Sequence, residues 1–271
     1  MSRHSRGSVG AAGGRGWRPA LRLGLALVAV AAALALVGSS RLAQSRGWRA
    51  ISPGIEYRRL RIPASDATDI AELHALRVDP GRCRLRVVCA GTGRTAPVRE
   101  LAARYGALAV INGGFFDPQF RPLGLRVSHG EQLRPLRRAD WGVFLVRAGR
   151  PAIVHTRDYH PAGVTEAVQC GPRLVVDGHA TRLKKQSARR ACIGIDGRGR
   201  VLLVVSQGAD VDATNLARAL SAPDTGAGLG CHDALNMDGG PSAQLFAAHR
   251  GFRLDLPGTW GVPDGLGVFA R

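Results

Sequence analysis

The chain of 271 residues is long enough for one large domain or two small ones, and its 45% of hydrophobic residues supports a sizeable core packed by aliphatic side chains, since aromatics make up only 5%. A formal net charge of +18 invites a nucleic-acid reading, but eight arginines and no acid lie in residues 1–50, leaving +10 for the rest. With no zinc-finger spacing, no aromatic–basic RNA-binding signature and no recognition helix, nucleic acid is excluded as the expected partner, and the residual charge suits an anionic substrate or membrane surface.

Leu23–Ser40 is an uncharged run of 18 residues rich in Ala, Leu and Val. As a helix it would span about 27 Å, enough for a hydrocarbon core. Five arginines precede it and three follow, so residues 1–22 are expected to form a cytoplasmic basic tail. A linker over 41–52 then leads to a single domain, 53–271, on the far side. The run reads as a signal-anchor in the inner membrane or as a signal peptide cleaved near Val37-Gly38-Ser39. Both readings export the domain, to the periplasm or beyond.

Export permits disulfides, but Cys83, Cys89, Cys170, Cys192 and Cys231 are odd in number. Cys83 and Cys89 share one face of an expected strand, roughly 20 Å apart, too far for a direct bridge. A longer-range disulfide and burial as small hydrophobes are both open for each cysteine. No CxxC or His/Cys spacing points to zinc.

Along the domain, Ile55–Ile62, Glu72–Val78 and Cys83–Ala90 read as strands. Pro97–Tyr105 reads as a helix capped by Thr95 and ended by Gly106. Ala107–Ile111 is a short apolar strand that runs into Asn112-Gly113-Gly114. Leu123–Val127, Trp141–Val146, Arg173–Val176, Ala191–Ile195 and Val201–Val205 are further strands. Ala213–Leu220 reads as a second helix, followed by a loop at Thr225–Gly230. Ala234–Met237, Ser242–Phe246 and Leu266–Phe269 close the chain as strands. Strands outnumber helices and do not alternate with them, so the expected class is α+β: a mixed, strand-rich sheet core with few helices, preceded by the hydrophobic N-terminal helix.

Two segments carry chemistry. In Ile111-Asn112-Gly113-Gly114-Phe115-Phe116-Asp117 the glycines allow close approach to the backbone, and Asn112 and Asp117 offer an amide and a carboxylate. An ordinary tight turn would use the same residues. Asn236-Met237-Asp238-Gly239-Gly240-Pro241-Ser242 has the same grammar, and Asp-Gly is also a common hairpin signal. If the two strand ends are neighbours, their polar groups converge where side-chain bulk is missing, a setting in which a carboxylate can be tuned for acid–base work. Arg173 and Arg190 each begin a strand beside glycines, and a guanidinium matches phosphate oxygens.

The segments INGGFFD, GPRLVVDG, RACIGID followed by GRVLLVV, and ALNMDGGPSAQL occur in this order, and together they resemble the phosphodiester glycosidase family over roughly residues 53–270. The resemblance implies a hydrolase without metal or cofactor that cleaves between an anomeric carbon and a phosphate. Carried over motif by motif, it implies a site drawn from Asn112, Gly113, Gly114, Asp117, Arg173, Arg190, Asn236, Asp238, Gly239, Gly240 and Ser242. Met237 stands where the family usually has Leu. Pro241 replaces a smaller residue and removes one backbone donor from a phosphate cradle.

The expected mechanism has Arg190, with Arg173, hold the phosphate of a sugar-phosphate diester. Asp238 acts as base or nucleophile, Asn112 and Asn236 position the sugar, and Asp117 is the rival or partner carboxylate. Two rivals stand beside it. Ser242 with His232 or His249 would make an esterase or phosphodiesterase, though the Gly-x-Ser-x-Gly elbow is missing. A membrane-tethered module that binds anionic cell-envelope glycans would need no carboxylate pair.

Overall fold

The computed structural model describes residues 47–65 and 69–271. The expected tail (1–22), the hydrophobic run (23–40) and the first half of the linker (41–52) lie outside the described residues. Among the described residues, no helix is long and apolar enough to cross a membrane.

Alternation builds the first hairpin. In Ile55–Pro63 the side chains of Ile55, Leu60 and Ile62 are buried while Arg59 and Arg61 face water, and the strand pairs with Ile70–Val78 in register Ile55↔Val78. Deeper strands such as Val201–Gly208 read as continuous apolar runs because both their faces are covered. The largest sheet has eight strands in the order Arg49–Ser52, Ile55–Pro63, Ile70–Val78, Val201–Gly208, Ala191–Asp196, Cys231–Asn236, Arg173–Val176, His179–Ala180. A five-stranded sheet runs Phe252–Leu256, Leu245–His249, Ala109–Asn112, Asp264–Ala270, Cys83–Cys89. A second runs Glu131–Arg134, Arg126–Ser128, Val164–Cys170, Gly142–Arg147, Arg150–His155, and Ser187–Ala188 pairs with Val211–Asp212.

The three larger sheets enclose one core. Leu76, Ile193 and Leu203 from the first meet Val87, Ile111 and Leu266 from the second and Phe144 and Val168 from the third. Helix Ala213–Ser221 covers the outer face of the eight-stranded sheet with Leu216, Ala217 and Leu220. Helix Val98–Tyr105 covers the outer face of the first five-stranded sheet with Val98, Leu101 and Ala102.

The strand-rich core with two helices matches the expected class, but its sheets are not mixed. Every strand pairing among the described residues is antiparallel. A parallel neighbour needs a long crossover, normally helical, and the two helices instead pack on outer faces. Thr95 does not cap the first helix. The Val98 amide donates instead to Gln244 Oε1 at 2.8 Å, and Gly106 ends the helix at φ 67°. The five cysteines are all free. Burial pushes the Cys89 thiol up to about 11 and that of Cys170 to about 12, so both behave as small hydrophobes.

Candidate functional site

Strand Ala109–Asn112 lies in the middle of its sheet, and Cys231–Asn236 is an inner strand of the eight-stranded one; the core holds the two sheets together. Their ends meet. The Asp238 amide donates to Gly113 O at 3.2 Å, and Asn112 Nδ2 donates to Asp238 O at 2.8 Å and to Gly113 O at 3.1 Å. The Gln244 amide donates to Asn112 Oδ1 at 3.0 Å. Asn112 is thus fully buried and bonded at both ends of its side-chain amide. It is the clasp between the two Gly-rich segments, and does not present its amide to a ligand.

Beneath the clasp lies a buried ion pair absent from the sequence expectations. Arg126 and Asp264 are each 1% exposed, with Arg126 Nε donating to Asp264 Oδ2 at 2.8 Å. Arg126 Nη1 also donates to Leu125 O and Gln169 O. Burial pushes the Asp264 carboxyl upward and the guanidinium pulls it back. Arg126 Nη2 and Asp264 Oδ1 have no hydrogen-bond partner among the described residues. Both face the glycines: a Cβ on Gly113 would sit 1.7 Å from Asp264 Oδ1, and one on Gly114 would sit 2.9 Å from Arg126 Nη2. The first glycine pair is therefore a steric requirement of the ion pair. Unpaired polar atoms at such depth are costly, and functional sites are where proteins keep them.

Asp238 is the carboxylate in reach of this pair. Burial raises its pKa above the ordinary value, opposed by the Ser242 hydroxyl, the Gly239 amide and the charge of Arg126, while the Asp264 charge adds to the rise. Ser242, 2% exposed, sits in the 3-10 turn Gly240–Ser242. Gly239 and Gly240 shape that turn against the neighbouring strand. A Cβ on Gly239 would meet Arg189 O at 2.8 Å, and Gly240 has φ 55° and donates its amide to Arg189 O at 2.7 Å.

The other expected residues differ in what they bind. Arg190 turns its guanidinium to Val211 O and Gln186 O, beside Asp212 at the start of the second helix. Its Nε and Nη2 are committed to backbone carbonyls, while Nη1 makes no hydrogen bond among the described residues. Arg173 packs along Gly142, and its guanidinium makes no hydrogen bond among the described residues. Asn236 Nδ2 donates to Gly171 O and Met237 O, leaving a buried Oδ1 unpaired. Asp117 closes a surface turn. Its Oδ1 accepts from the Gln119 and Arg121 amides and its Oδ2 from Arg121 Nε at 2.7 Å, and these bonds from Arg121 hold its pKa down.

Arg126 and Asp264 escaped the sequence reading although each left a trace. Arg126 interrupts the expected apolar strand Leu123–Val127, and Pro263-Asp264-Gly265 repeats the Asp-Gly grammar of Asp238-Gly239 at the start of the last strand.

Among known proteins, the family model for phosphodiester glycosidase matches residues 105–269. The catalytic domain of zebrafish N-acetylglucosamine-1-phosphodiester alpha-N-acetylglucosaminidase, auto-inhibited by its pro-peptide, is similar at a TM-score of 0.64 and 17% identity, over 82% of this chain and 86% of that one. A hypothetical protein from Synechocystis is similar at 0.57 and 18% identity, over 80% of this chain. The chain spans 62% of the length of that protein. At these identities the likeness is one of fold. No curated protein matches by sequence. The family match takes in well over half of the chain, and the chain belongs to the phosphodiester glycosidase family.

Proposed function

We propose that this family member hydrolyses a sugar-1-phosphodiester at the linkage between the anomeric carbon and the phosphate, from a domain exported by its hydrophobic N-terminal run. One observation carries the reading: Asp238, whose raised pKa is opposed by the charge of Arg126, is bound through its amide to Gly113 O, and the unpartnered Nη2 of Arg126 faces Gly114. A carboxylate so tuned can take a proton from water or attack the anomeric carbon itself, and a guanidinium in a dry site stabilises the charge gathering on the departing phosphate. A phosphate monoester leaves readily, so a single carboxylate suffices where ordinary glycosidases need two. Arg126 takes the phosphate-facing role expected of Arg190, and Ser242 tunes Asp238.

The Ser-nucleophile reading loses support from the same geometry. Ser242 faces Asp238, and His232 is bound to Asp233 at 2.9 Å. A non-catalytic module has no use for a carboxylate with a raised pKa beside a buried arginine. The test replaces Asp238 with Asn in the full chain and follows hydrolysis of a sugar-1-phosphodiester in oxygen-18 water. Loss of about 10²–10⁴ in rate, with the label entering the sugar in the parent, is the expected result. Undiminished rate in a folded variant, or label in the phosphate, sinks the assignment.

A further inference from the structure

Beyond the two glycine turns the chain builds a second feature, a pocket of about 580 Å³. One wall is the loop Phe116–Phe120, which continues the first Gly-rich segment. The other is Thr259–Gly261, bound to the second segment by the Thr259 and Trp260 amides, both donating to Pro241 O. Gln244 Nε2 donates to Trp260 O at 2.9 Å, and Gly261 lies so close to Thr95 that a Cβ there would sit 2.8 Å from its hydroxyl. The backbone under Trp260 is therefore fixed, yet its side chain is exposed: the residue is 60% accessible, with Phe120 42% accessible across the pocket. Phe120 also holds φ 60°, a left-handed conformation that a bulky residue rarely adopts. Its amide donates to Asp117 O, which fixes the turn. Two aromatic side chains held on rigid loops and left in water mark a surface that binds something.

The polar groups say what. Asp117 keeps its carboxylate at the rim, and the Thr95 and Thr259 hydroxyls lie with it. We infer that this pocket is a carbohydrate subsite, in which a neutral pyranose ring of the substrate stacks its C–H face on Trp260 and Phe120 and donates a hydroxyl hydrogen to Asp117. Aromatic faces match the apolar face of a sugar and the carboxylate matches its hydroxyls. Asp117 is already paired with Arg121 at 2.7 Å and leaves no net charge to hold an anion, and an alkyl chain leaves both threonine hydroxyls without partners. The inference rests on the sugar-phosphodiester reading and extends it, placing the sugar in this pocket and leaving the phosphate with Arg126.

The test is saturation-transfer NMR on the full chain. Its probes are the methyl pyranosides of glucose, mannose and N-acetylglucosamine, with n-hexanol and inorganic phosphate as controls. At least one glycoside should bind with Kd on the order of 1–10 mM, with saturation concentrated on one C–H face. Trp260→Ala should abolish the signal and Trp260→Phe retain it, while Asp117→Asn should weaken binding roughly tenfold. In turnover, Trp260→Ala should raise KM and spare kcat. Asp238→Asn should leave glycoside binding unchanged, so failure of the catalytic reading is seen apart from failure of the subsite. Binding of hexanol alone, of phosphate in competition with glycoside, or of no probe overturns the inference. Glycoside binding that survives Trp260→Ala overturns it as well.

Discussion

Replacing Arg126 with Met separates what the buried ion pair does for the fold from what it does for the site. Both partners are 1% exposed, and the guanidinium holds Asp264 Oδ2, Leu125 O and Gln169 O. Removing it leaves a carboxylate in the interior with no countercharge, and breaking such a pair costs about 3–5 kcal/mol. Adding Asp264→Asn removes that stranded charge without changing its volume, so the double variant should recover about 2 kcal/mol or more. Urea titration of the three proteins measures both numbers from the midpoints. Hydrolysis of the phosphodiester should not return with stability, because the double variant still lacks the guanidinium that faces the departing phosphate. A single variant within about 1 kcal/mol of the parent refutes the energetic argument. A double variant that is stable and fully active refutes the functional one.

Gly113→Ala would set a Cβ 1.7 Å from Asp264 Oδ1. Overpacking of this kind costs on the order of 1–3 kcal/mol and should abolish turnover, whereas parental activity would mean the pair can move aside. If Asp238 works as a base, kcat/KM falls as pH drops through its pKa, so the acid limb should lie above the ordinary 3.8. The Ser242 hydroxyl lowers that pKa, so Ser242→Ala should move the limb to higher pH; a limb that stays put or moves down removes Asp238 from the role. Arg190→Met orphans the carbonyls of Val211 and Gln186 and should cost about 1–3 kcal/mol with KM unchanged. A large rise in KM at parental stability would return Arg190 to the phosphate.

The local grammar of this chain was legible where one residue type settles the backbone. The first helix stops at Gly106 and the second starts at Ala213, as expected, behind Asp212, whose side chain accepts from the Thr214 amide at 2.8 Å. The strands before Gly113 and Asp238 appear within a residue or two of their expected ends. Sheet direction was not legible, because an apolar run such as Val201–Val205 is compatible with either direction until its neighbours are known. The role of Asn112 was misread for a related reason. Its type fits a ligand contact and a clasp equally well, and only the arrival of Asp238 and Gln244, more than a hundred residues away, decides between them. For Arg190, in a chain rich in arginine, position at a strand start does not tell which face of the sheet the guanidinium takes.

The glycines carry a larger consequence. Gly113 and Gly114 read from the sequence as a turn or as room for a ligand, and the structure adds a third reason for them: they clear the space into which Asp264 Oδ1 and Arg126 Nη2 project. A charge pair at 1% exposure does not by itself make the fold more stable, since apolar side chains of similar volume usually serve as well or better. Holding it therefore costs stability twice, once in desolvation and once in conformational freedom at two glycines. Such a cost is expected where a fixed charge must meet a developing one without reorganisation, which is what departure of a phosphate from an anomeric carbon requires. On this argument the first Gly-rich segment is catalytic through the space it leaves clear, and Asp238 on the second supplies the reacting carboxylate. An apolar replacement of the whole pair, Arg126→Met with Asp264→Leu, should then give a protein as stable as the parent or more so, without activity. A variant of that kind that still hydrolyses the diester would show that the cost has another cause.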